Sequence, residues 1–86
     1  MNYKILFTKQ AVKDLEKIKK SNLNGKVLKL LEILSENPMQ PPWEKLIDKE
    51  NTYSRRINIQ HRLVYVIDEE NKEIHVIRAW THYGDN

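Results

Sequence analysis

The chain has 86 residues and no cysteine, and its 15 Lys+Arg against 12 Asp+Glu leave a formal charge of +3. That length holds one domain with a modest core, and the lack of cysteine excludes a disulfide framework and a thiolate metal site. No apolar run approaches the roughly 18 residues of a membrane span, and the opening MNYKILFTKQ lacks the apolar stretch and cleavage pattern of a signal peptide, so a cytoplasmic protein without membrane association is expected.

Residues 3–7 form a short apolar run of strand formers and are expected to make the first strand. Thr8 can cap a helix, and Ala11, Leu15 and Ile18 then recur at spacings of four and three, a single apolar stripe running out near Lys20. SNLNG breaks the pattern. A second amphipathic helix from about Asn24 carries Val27, Leu30, Leu31 and Leu34, and Pro38 ends it because the residue before a proline disfavours helical geometry. Residues 38–51 hold all 3 prolines and are read as an irregular, partly extended loop. Residues 52–59, 62–68 and 73–80 follow, each rich in Ile, Val, Tyr and Trp, with EENK turning the chain between the last two.

The order is therefore β-α-α-β-β-β, an α+β domain in which two N-terminal helices pack on one face of an antiparallel sheet. Along the middle strand of the meander Leu63, Tyr65 and Ile67 alternate with Arg62, Val64 and Val66. If the first set faces the helices, Arg62 faces the open side.

Charge is distributed unevenly: between residues 55 and 62 stand Arg55, Arg56 and Arg62 and no acid. His61, His75 and His82 are scattered without metal-ligand spacing, and 2 glycines cannot build a phosphate-cradling loop. No nucleophile elbow is present. What remains is Glu44 in the proline-rich loop, the three arginines, and His82 with Tyr83 beyond the last strand. Metal-free RNA cleavage needs such a set: a base for the ribose 2′-OH, a cation for the charge building on the phosphate, and an acid for the departing 5′-oxygen. Taken singly, each residue has a plainer reading. Glu44 fits a solvated loop carboxylate, Arg55 and Arg56 a charged strand edge, His61 and His75 polar surface, and Trp43 and Trp80 packing.

Tyr53-Ser54-Arg55-Arg56-Ile57, then His61-Arg62-Leu63-Val64-Tyr65, then His82-Tyr83 resemble the YoeB (Txe) branch of the RelE/ParE toxin superfamily over essentially the whole chain. The resemblance implies one microbial-ribonuclease-like toxin domain over residues 1–86 that cleaves mRNA in the ribosomal A site. It implies Glu44 as general base, Arg62 at the phosphate, His82 as general acid, Tyr83 orienting or stacking the substrate, and Arg56 and Arg55 at RNA, with no cofactor. Where relatives carry a lysine after their Glu-x-Leu unit this chain has Ile47, leaving Lys45 as its substitute. The partners implied are the 70S ribosome with its mRNA, an acidic YefM/Axe-like antitoxin and a second copy of the chain. Two other functions stay open on the same fold: a non-catalytic ParE-like inhibitor of gyrase, and a binding module without activity.

Overall fold

The structure, a computed structural model, describes residues 2–80. His82 and Tyr83 lie outside the described residues. The helices and strands run β1 (Lys4–Phe7), α1 (Lys9–Lys19), α2 (Asn24–Glu36), β2 (Glu44–Lys45), β3 (Thr52–Arg56), β4 (Arg62–Asp68) and β5 (Glu73–Arg78). The strands form one sheet in the order β1-β5-β4-β3-β2.

Local chemistry sets the helix ends. Thr8 is extended, and its Oγ1 accepts the Ala11 N–H at 3.1 Å, satisfying one of the amides that α1 leaves unpaired. The same hydroxyl donates to the Ile77 carbonyl at 3.2 Å, so the cap also ties α1 to β5. Thr8→Ala is expected to cost about 1 kcal/mol of stability and Thr8→Ser to retain most of it, as measured by urea unfolding. At the other end Lys17 and Lys19 stand where the helix dipole favours cations. Ser21 then turns the chain, donating to the Ile18 carbonyl and accepting from Leu23 N–H. As Pro38 requires, Asn37 leaves the helical region, at φ −154° and ψ 86°.

The core is built from Ala11, Ile18, Val27 and Leu34 of the helices against Leu63, Tyr65, Ile67, Ile74 and Val76 of β4 and β5. Leu63, Tyr65 and Ile67 do face the helices, so Arg62 lies on the open face.

Four features differ from the sequence expectation. The sheet is antiparallel from β2 to β5 but mixed as a whole, because β1 pairs with β5 in parallel. Four residues carry no signal of the direction in which they will pair; the helical pair packed against β1 and β5 decides it. The proline-rich loop also contributes β2, which extends the sheet past β3. β3 stops at Arg56 rather than residue 59, because the Asn58 side chain accepts the Gln60 and His61 amides at 2.9 and 2.7 Å and bends the chain into a turn. β5 stops at Arg78 rather than residue 80, since a carboxylate takes the next two amides.

Candidate active site

The register brings the acid and the cations together. In antiparallel neighbours, paired residues project from the same face, and here Glu44 pairs with Ser54 while Arg56 pairs with Arg62. Arg62 Nη1 donates to Glu44 Oε1 at 2.7 Å and to Ser54 Oγ at 3.1 Å. The Glu44 side chain is 65% exposed and that of Arg62 23%, so the carboxylate opens to solvent while the guanidinium is half-sunk beside it. Such a pair adds little to stability, which leaves its placement to be explained by chemistry. Arg56 is exposed at the rim. A groove of about 440 Å³ runs past these groups, with Glu44, Ser54, Arg55, Arg56 and Arg62 on its polar side and Leu30, Ile33, Pro42 and Trp43 on its apolar side.

Of the two other cations expected at RNA, Lys45 stands away from the groove and Arg55 lines it from the helix face. Lys45 follows Glu44 in a strand, so it projects from the opposite face, and it is absent from the groove lining. Arg55 pairs with Leu63 on the helix face and is 2% exposed. Its Nε donates to Tyr65 Oη at 3.0 Å, its Nη1 to the Pro42 carbonyl at 3.1 Å, and its Nη2 to the Pro38 and Gln40 carbonyls at 2.8 and 2.6 Å. Arg55 therefore lines the groove with four of its donors engaged by Tyr65 and the loop carbonyls. Burial pushes the Tyr65 phenol up, against the pull of the Arg55 charge, and the hydroxyl stays neutral.

Trp43 packs edge-on against Tyr53 at 5.3 Å and donates its indole N–H to the Met39 carbonyl at 2.9 Å. His61 and Trp80 stack at 4.0 Å, so the described chain ends at Trp80 beside the β3–β4 turn, next to the Arg62 end of β4.

The sequence reading passed over Asp14. It is 1% exposed on α1, its Oδ1 accepts from Gln10, and its Oδ2 accepts from Arg78 Nε, Ala79 N and Trp80 N at 3.1, 3.0 and 3.3 Å. Burial alone would raise its pKa, but the Ala79 amide, Gln10, Arg78 and the Trp80 amide together outweigh burial and hold the carboxyl below its ordinary value. A signal was available: an acid interrupting the stripe of Ala11, Leu15 and Ile18 demands buried donors. Histidine spacing likewise gave no sign of the group Asp68, Glu73 and His75, whose ligand-type atoms lie within 4.8 Å of one another. Each has a partner in that hairpin: Asp68 accepts twice from Asn71, and Glu73 Oε1 lies 3.0 Å from His75 Nε2. Among the described residues no helix is long and apolar enough to cross a membrane.

Two helices on a mixed five-stranded sheet, with an arginine–carboxylate pair in a groove that α2 also lines, define a small α+β domain with an acid and cations gathered at one site. The family model of ParE toxins of type II toxin–antitoxin systems (parDE) matches residues 5–84, and the chain belongs to this family, within the RelE/YoeB superfamily of toxins. It is similar to the YoeB/ParE toxin from Agrobacterium tumefaciens at 26% identity and a TM-score of 0.84, covering 93% of this chain and 99% of that one. The YoeB dimer from Staphylococcus aureus is 30% identical with a TM-score of 0.82, and YoeB in the YoeB–YefM complex of that organism is 31% identical with a TM-score of 0.77; both comparisons cover 96% of this chain and 100% of the other. A comparison with curated protein sequences gives no match.

Proposed function

We propose that this toxin is a ribosome-dependent endoribonuclease that cuts mRNA in the A site and so inhibits translation. The observation that carries the proposal is the 2.7 Å contact of Arg62 with Glu44 in a groove flanked by Arg56. Glu44 takes the proton from a ribose 2′-OH, whose oxygen bonds to the adjacent phosphorus. Arg62, turning its donors from the carboxylate to the phosphate, carries the charge that builds on the non-bridging oxygens. His82 protonates the 5′-oxygen as the P–O bond breaks, leaving a 2′,3′-cyclic phosphate. Arg56 holds the backbone by a sequence-independent contact, and Tyr83 orients or stacks a base.

In the cytoplasm the same groove is closed by a cognate antitoxin, an acidic flexible segment that folds on the cationic face and excludes RNA. YoeB from S. aureus has been solved both as a dimer and with YefM, which supports an antitoxin partner and a homodimer for this chain.

The ParE family match favours one alternative, a non-catalytic inhibitor of gyrase. Mapping mRNA 5′ ends by primer extension after induction in bacteria separates the two. New ends within translated codons are expected. Intact mRNA with DNA breaks would establish the gyrase reading instead.

A further inference from the structure

We infer that Arg55 is the positioning residue of the candidate base: one buried guanidinium ties down the loop that delivers Glu44 to Arg62. The inference rests on the ribonuclease reading of Glu44. The loop has an uncommon donor problem. Pro38, Pro41 and Pro42 carry no N–H, so the segment offers carbonyls with few amides to pair with a sheet. Arg55 answers that deficit from the other side. Three of its N–H groups reach the carbonyls of Pro38, Gln40 and Pro42, at 2.6 to 3.1 Å, and a fourth is anchored on Tyr65 in the core.

The geometry links the clamp directly to the site. Glu44 lies two residues beyond the Pro42 carbonyl and pairs with Ser54, the neighbour of Arg55 in β3. The β2–β3 ladder is only two pairs long, so it is a weak guide for a side chain that must meet Arg62 at hydrogen-bond distance. A planar fork with fixed donor directions suits three converging carbonyls; a lysine ammonium, a single point on a flexible stem, does not reproduce them.

The test has two readouts. In Arg55→Lys the Trp43 indole N–H, held by the Met39 carbonyl inside the loop, is expected to exchange with solvent about tenfold faster or more, with the Trp80 indole as internal control. On mRNA-programmed ribosomes the same variant is expected to cleave about 100-fold more slowly at saturation, the cost of displacing a reacting group by about 1 Å, with half-saturation unchanged because Arg56 and Arg62 are intact. The double variant Arg55→Lys, Glu44→Gln should then be no slower than Glu44→Gln alone, since Arg55 acts through Glu44.

Losses that multiply in the double variant, or an unchanged indole exchange, overturn the inference. If Glu44→Gln cuts as fast as wild type, the reading of Glu44 as base fails and the catalytic half of the inference fails with it, while the indole exchange separately decides the clamp. Should Arg55→Lys not fold, the wild-type protein supplies the answer: separately resolved, slowly exchanging Arg55 Nη protons are expected, and averaged, fast-exchanging ones would overturn the clamp.

Discussion

Glu44→Gln is expected to slow mRNA cleavage by about 10²- to 10⁴-fold while leaving the fold intact. Glutamine has the size of glutamate and keeps an oxygen that can accept from Arg62, so the contact at 2.7 Å survives in outline. What disappears is the basicity needed to remove the 2′-OH proton. Because the side chain is 65% exposed, its replacement should change stability by less than about 0.5 kcal/mol. His82→Ala removes the acid at the other end of the same displacement and is expected to fall in the same range, about 10²- to 10⁴-fold. Single-turnover cleavage on programmed ribosomes reads both losses, and relief of growth arrest should follow them. Undiminished toxicity in both variants would show that neither proton transfer matters to the harm the protein does.

Asp14→Ala is expected to give the largest loss of stability, about 3 kcal/mol at neutral pH, because it leaves the buried Ala79 amide and the half-buried Trp80 amide without their acceptor. For a domain of this size that corresponds to a fall in midpoint temperature on the order of 15 °C. The loss depends on pH with a definite sign. The folded-state pKa of Asp14 lies below its ordinary value of 3.8, so the carboxylate stabilises the fold fully above about pH 4 and progressively less as pH falls through the depressed value. The gap between wild type and Asp14→Ala in urea unfolding should therefore be whole at pH 7 and narrow toward pH 3. A gap of equal size at both would place its origin in packing around the side chain, with no part for the charge.

Asp14 also shows why the candidate site was only partly legible in the sequence. The buried acid stands in the open on the α1 stripe, but the donors to its Oδ2 come from residues 64 to 66 positions away. Nothing local announces them. The two neighbouring arginines of β3 make the same point. Arg55 and Arg56 are chemically identical and adjacent, yet strand alternation buries one, with its donors on the proline-rich loop, and leaves the other exposed at the groove rim. Their separate fates depend on which face the helices cover.

The sequence by itself determined the order of the elements it marked, the helix ends at Thr8 and Pro38, the alternation of Leu63, Tyr65 and Ile67 with Arg62, Val64 and Val66, and the residue types an RNA-cleaving site would need. These are legible because periodicity, capping and proline act within a few residues. Only the tertiary structure decided that β1 joins β5 in parallel, that Glu44 becomes part of a strand, that Arg62 rather than Lys45 or Arg55 meets it, and that Asp14 stops β5 at Arg78. Each of these depends on groups far apart in the chain being brought within hydrogen-bond reach by burial of a shared core, and the energy that selects them exists only once that core has formed.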